Sequence, residues 1–277
     1  MAQWLEYPRE VTGTLKVLKD VPSPQLGNVR DLLVLLPPSW QEEGRRWPVL
    51  YMQDGQNLFD PATSFAGEWG VDETMAKLSK DGIEAIVVGI PNTGHQRLDE
   101  YSPFHDPRHG GGKGEAYLDF LVSTVKPLVD AGFPTEPGRE STGILGSSMG
   151  GLISLHAFFR RPDVFGLCGA LSPAFWFARG ALFDAVRSAP LVPGRIYLDT
   201  GTREIGRLPF RRPFRRNSAA EMHALLRRKG YQDGVDVRYV AEKGGEHNEA
   251  AWRRRLPGAL RFLLGPRPKR TSTLARE

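Results

Sequence analysis

Short apolar segments recur along this chain, most of them followed by a stretch with helical spacing. That alternation restricts the fold more than any other feature. Residues 83–90 (IEAIVVGI) are nearly all apolar, the pattern of a strand covered on both faces. Further strands are expected at 48–53 (PVLYMQ), 141–145 (STGIL), 165–171 (FGLCGAL), 194–199 (GRIYLD) and 235–241 (VDVRYVA). Helices are expected at about 70–80, 114–130, 152–161, 217–229 and 249–264. Strands alternating with helices form a mostly parallel sheet with helices on both faces. The opening strands, 11–19 and 29–36, have no helix between them and predict an antiparallel edge; Pro37-Pro38 ends the second.

The 277 residues show no internal repeat and no composition break, so a single domain is expected, with its core at about 11–264 and a frayed Pro- and Arg-rich tail at 265–277. With 40% hydrophobic and 25% charged residues, the chain is neither disordered nor fibrous. No apolar run approaches the ~20 residues that cross a bilayer. The opening MAQWLEYPREVTG carries acids and a proline where a signal peptide needs an apolar stretch, so a cytoplasmic location is expected. The lone cysteine, Cys168, excludes an internal disulfide and a zinc site built on several thiolates, and its apolar setting predicts burial. The net charge is +5, and Arg outnumbers Lys 28 to 9. The arginine clusters fall on expected loops and helix surfaces, and no nucleic-acid motif accompanies them, so they read as solvated surface.

Gly146-Ser147-Ser148-Met149-Gly150 fits the pattern G-x-S-x-G between an expected strand and an expected helix, the context that gives the pattern meaning. Glycines two residues before and after Ser148 remove the Cβ atoms that would clash in so tight a turn. The hydroxyl then stands above the sheet edge, facing the N-terminus of the next helix, which suits a developing oxyanion. Ser147 is the register alternative, but it lacks a glycine two positions before it.

A serine hydroxyl needs a base. In this arrangement the order is serine, acid, histidine. Of the histidines after Ser148, His223 lies within an expected helix, whereas His247 lies in a Gly-rich loop after the last strand, where a base hangs over the sheet. For the acid, YLDTGTREIG offers Asp199 near the strand end and Glu204 in the loop beyond it; the loop position suits a side chain that reaches sideways to His247. The oxyanion donors expected are the Met149 N–H, directly after the nucleophile, and the Gln56 N–H, in the loop after the third strand.

YMQDGQNLFD, GSSMGG, SPAFW, GTRE and GEHNEAAW, in that order, resemble the putative-esterase family of α/β-hydrolases. This group holds the enterochelin esterases, S-formylglutathione hydrolases, feruloyl esterases and antigen 85 mycolyltransferases. The resemblance runs from about residue 28 to 264 and implies an α/β-hydrolase fold, with a mostly parallel sheet of about eight strands. It also implies Ser148 as nucleophile, His247 as base, Glu204 rather than Asp199 as acid, and Gln56 as the second oxyanion donor. It suggests that Trp69 and Trp176, each in a loop on the active-site side, line the substrate pocket; packing in the core or at the rim is the equal alternative for both.

The expected activity is therefore serine esterase chemistry on a small-molecule ester, with no metal or organic cofactor required and no nucleic-acid or membrane partner. The same residues would serve an acyltransferase or a thioesterase, and the scaffold alone would serve a binding protein. His95, His105 and His109, with Asp99 and Asp106, match no metal-ligand spacing and read as a polar loop over the site. Gly110-Gly111-Gly112-Lys113-Gly114 lacks the spacing and the Ser/Thr of a phosphate loop. Arg203, Arg207, Arg211, Arg212, Arg215 and Arg216 follow the acid loop and would bind an anionic substrate group if that loop covers the cleft.

Overall fold

The computed structural model describes residues 3–204 and 218–268; Arg207, Arg211, Arg212, Arg215, Arg216 and most of the expected tail lie outside them. The chain opens with β1 (Leu5–Glu6), β2 (Thr14–Ser23), β3 (Asn28–Leu36) and β4 (Val49–Gln53). Then come α1 (Val71–Ser79), β5 (Ile86–Ile90), the short α2 (Arg97–Glu100) and a small hairpin of β6 (His105–Asp106) and β7 (Gly110–Gly111). α3 (Gly114–Phe120) passes through a π-helical turn (Leu121–Val125) into α4 (Lys126–Gly132). Pro127, which has no N–H to donate, sits where the π turn ends. The remainder alternates: β8 (Thr142–Ser147), α5 (Met149–Arg160), β9 (Leu167–Leu171), α6 (Ala181–Ser188), β10 (Arg195–Gly201), α7 (Ala219–Arg228), β11 (Val237–Glu242) and α8 (Glu249–Leu264).

The main sheet runs β1-β2-β3-β5-β4-β8-β9-β10-β11. The strands from β5 to β11 pair in parallel, while β1, β2 and β3 form the antiparallel edge. This is the α/β-hydrolase sheet of the expected size, extended by the two-residue β1. The alternation of side chains along each strand separates two cores. Val49 and Tyr51 of β4 meet the layer that includes α3–α7, and Leu50 and Met52 meet the layer of α1 and α8. Cys168 is fully buried, and burial pushes its thiol up. α6 falls in a segment for which no helix is expected; Ala178 and Arg179, at φ 46° and 57°, break the backbone just before it. No helix among the described residues is long and apolar enough to cross a membrane.

α1 begins beside an acidic cluster. The Asp72 side chain accepts the Thr12 N–H through Oδ2 (2.8 Å), while its buried Oδ1 has no hydrogen-bond partner among the described residues. Burial, aided by the adjacent Glu73 carboxyl, pushes Asp72 up to about 6 from its ordinary 3.8. The folded state therefore binds this proton more tightly than the unfolded chain, and the contribution to stability falls as pH rises through that interval. Asp72→Asn is expected to be more stable than wild type at pH 8, by on the order of 1 kcal/mol, and to lose less stability between pH 4 and pH 7. Urea melts at the two ends of that range check this. A variant less stable than wild type at pH 8 would show that the charged form supports the fold.

Candidate active site

The loops leaving the C-terminal ends of the parallel strands form the site, as is usual for open α/β sheets. β4 leads to Asp54 and Gln56, β8 to Ser148, β9 to Ser172, β10 to Glu204, and β11 to His247.

Ser148 is the single residue between β8 and α5, at φ 53° and ψ −120°, a strained conformation for an L-residue. Its N–H donates to the Leu171 carbonyl (3.0 Å), and its own carbonyl accepts from Leu152 (3.1 Å) and Ala174 (2.9 Å). These bonds hold the elbow without using Oγ. A Cβ at position 146 would lie 2.7 Å from Gln53 Cγ and from the Gly150 carbonyl carbon, so this position requires glycine. Ser147 differs: it is the last residue of β8 and is buried.

The turn carrying Gln56 is held by a charged clamp. Asp54, itself left-handed at φ 56°, accepts from Arg97 Nε (2.7 Å) and Nη2 (2.8 Å) and from Asn92 Nδ2 (2.7 Å). Burial alone would lower the Arg97 guanidinium, but the paired Asp54 carboxylate outweighs it and raises it. The Gln56 side chain accepts the Asn92 N–H (3.1 Å). The backbone N–H groups of Gln56 and Met149 meet no acceptor among the described residues.

Glu204 and His247 are brought together. Glu204 Oε2 lies 3.4 Å from His247 Nδ1, a long hydrogen bond. Glu204 Oε1 accepts from the Ser172 hydroxyl and the Gly201 N–H. Burial alone would raise the Glu204 carboxyl; the hydrogen bonds from His247, Ser172 and Gly201 prevail and lower it. Asp199, the other candidate acid, is fully buried and pairs with Arg255 (2.9 Å), with no contact to His247 among the described residues. His223 also lies apart: on α7 it bonds Asp233 (2.9 Å) and stacks on Tyr239.

Ser148 and His247 line one cleft of about 990 Å³, together with Gln56, Phe65, Arg97, Glu249 and Trp252. No hydrogen bond joins Ser148 Oγ to His247 in this structure. The two tryptophans weighed as pocket or packing residues sit differently. Trp69 is only 2% exposed and packs against Trp252 (ring centroids 5.6 Å apart), so it supports the cleft from within the core. Trp176 is 42% exposed but lies beside His109 (5.9 Å) and is not part of the cleft wall. The aromatic residues on the wall are Trp252, whose ring meets His247 edge-on at 5.2 Å, and Phe65, 93% exposed. Phe65 carries a weak sequence signal, a lone aromatic in the run PATSFAGE; Arg97 carries none.

The 91–113 loop is organised by its own contacts. Asp106 bonds His109 Nδ1 (2.9 Å), and Asp99 accepts the Gly111 N–H (2.8 Å). Gly112 and Gly114 donate to the Ser102 carbonyl, so their amides are not presented as a phosphate cradle. Among the described residues the group with metal-ligand proximity is Glu68, Asp72 and Glu73 at the start of α1, apart from these histidines.

A family model described as putative esterase matches residues 23–263. The chain is 27% identical over 253 residues to the uncharacterized protein YbbA of Bacillus subtilis, an alignment covering 88% of this chain and 95% of that one. It is 33% identical over 137 residues to the siderophore triacetylfusarinine C esterase of Aspergillus fumigatus, covering 47% of this chain and 45% of that protein. Its fold superposes on the siderophore hydrolase EstA of Aspergillus nidulans with a TM-score of 0.68 at 20% identity, covering 94% and 98% of the two chains.

Proposed function

This chain belongs to the putative-esterase family, and from that premise we propose that it hydrolyses a small-molecule ester through an acyl-enzyme on Ser148, with His247 as base and Glu204 as acid. The observation that carries this reading is the Glu204–His247 pair, whose histidine lines the same cleft as a strained, half-buried serine. His247 Nε2 takes the proton from Ser148 Oγ as the oxygen attacks the ester carbonyl. Glu204, at Nδ1, sets the tautomer that leaves Nε2 free to accept, and stabilises the imidazolium. The N–H groups of Met149 and Gln56 receive the oxyanion, and the dipole of α5 points at the same place. His247 then protonates the leaving alcohol, and water activated by the same imidazole releases the acid. Catalytic hydrogen bonds often tighten only when substrate is bound, so the missing Ser148–His247 bond is compatible with this sequence of steps.

The space favours a bulky ester. A second cavity of about 660 Å³ adjoins the cleft and shares Gln56, Thr63 and Asn92 with it. Siderophore-type esters and hydroxycinnamoyl esters suit that size, and relatives carry siderophore and feruloyl esterase names. A panel running from p-nitrophenyl acetate to octanoate, with a hydroxamate siderophore ester and a feruloyl ester alongside, tests this. Turnover with a higher kcat/KM for the bulky esters is expected. Turnover of none of them overturns the reading.

A further inference from the structure

We propose that Ser172, the residue after β9, is a positioning residue for the acid of the triad. The inference rests on the Ser148–His247–Glu204 reading and assigns a role to a hydroxyl outside it. Ser172 is 2% exposed and sits at φ 44°, with its N–H held by the Asp199 carboxylate (2.9 Å). Three groups surround its Oγ. Trp252 Nε1 approaches at 2.9 Å, Arg255 Nη2 at 2.6 Å, and Glu204 Oε1 completes the set.

The direction of these bonds follows from chemistry. An indole N–H and a guanidinium N–H can only donate, so they occupy the lone pairs of the hydroxyl. Its one proton is left for Glu204 Oε1. With the Gly201 N–H on the same oxygen, Oε1 is committed, and Oε2 is the oxygen that faces His247. The alternative partner for the carboxylate is close. Arg255 Nη2 lies 3.7 Å from Glu204 Oε1, and Ser172 Oγ bridges the two. Arg255 is itself fixed, with a side chain 4% exposed, by Asp199 (2.9 Å) and Glu242 (2.7 Å). Remove the hydroxyl, and the nearest charge-assisted bond open to Glu204 is with Arg255, away from His247. The same hydroxyl anchors Trp252, whose ring packs on His247. The bond to Trp252 fixes the hydroxyl's direction, and the hydroxyl acts on catalysis through the Glu204 carboxylate.

The test is a double-mutant cycle on p-nitrophenyl ester turnover with Ser172→Gly and Glu204→Gln. Glycine suits the left-handed backbone at position 172, so the variant removes the hydroxyl while relieving strain; circular dichroism and thermal melting confirm that it folds. Ser172→Gly is expected to lower kcat by on the order of 10- to 100-fold, with KM changed by less than about twofold. In the Glu204→Gln background the same change is expected to have less than about a threefold effect, because its action passes through the carboxylate. An unchanged kcat, or an equal loss in both backgrounds, overturns the proposal and leaves Ser172 a packing residue. Wild-type turnover in Glu204→Gln alone overturns the triad reading and this inference with it, so the two failures are distinguishable.

Discussion

Ser148→Ala is expected to abolish ester turnover, with kcat reduced by about 10⁴-fold or more, while the melting temperature stays close to that of wild type. The geometry separates the two effects. All three backbone bonds that hold the elbow use the N–H and C=O of residue 148, and alanine keeps both. The strain at φ 53° is the same for serine and alanine, since each carries a Cβ. The substitution therefore removes Oγ and little else. A fluorophosphonate probe gives an independent readout: wild type is labelled, Ser148→Ala is not, and Ser147→Ala is labelled as wild type. Labelling that survives in Ser148→Ala and vanishes in Ser147→Ala would move the nucleophile by one residue. Turnover that persists in both would remove serine chemistry from this cleft.

The features legible in the sequence are those whose physics is local. The elbow at Gly146–Gly150 needs a strand, a helix and two glycines within a few residues, and all are written consecutively. The central strands β4, β5 and β9 are legible because burial on both faces keeps them almost wholly apolar. α6 escaped because its start depends on left-handed Ala178 and Arg179, residues with no preference for that conformation. The aromatic wall of the cleft is hard to read in sequence for a different reason. Trp69 and Trp252 pack against one another, and which ring faces the cavity depends on how α8 lies on the sheet, not on either neighbourhood in sequence. The support around Glu204 is the least legible part. Trp252 and Arg255 lie three apart on one face of α8, but no spacing rule ties that face to Glu204 or to Ser172. Likewise Arg97 reaches Asp54 across 43 positions of chain.

Glu204→Gln and Asp199→Asn, two amide-for-carboxylate changes five residues apart, are expected to fail in opposite ways. In Glu204→Gln the new side chain has the same shape, and its oxygen can still accept from Ser172 and Gly201. The side-chain nitrogen then faces His247 Nδ1 and presents an N–H where the imidazole needs an acceptor. The imidazole proton moves to Nε2, the atom that must take the serine proton. A loss of about 10³- to 10⁴-fold in kcat follows, by analogy with the acid of other serine triads, with stability nearly unchanged. Asp199 is buried at 0% exposure, and its charge answers Arg255 rather than His247. Glu204, by contrast, is lowered by the bonds that it accepts from His247, Ser172 and Gly201. Asp199→Asn removes one partner of a buried ion pair and is expected to destabilise the fold by about 3 kcal/mol, with kcat at 25 °C kept to within about tenfold because Glu204 and His247 are untouched. Urea melts and initial rates on the same two samples measure both axes. A stable, inactive Asp199→Asn beside an active Glu204→Gln would transfer the role of acid to Asp199. It would also require the loop after β10 to rearrange, since Asp199 makes no contact with His247 in the present geometry.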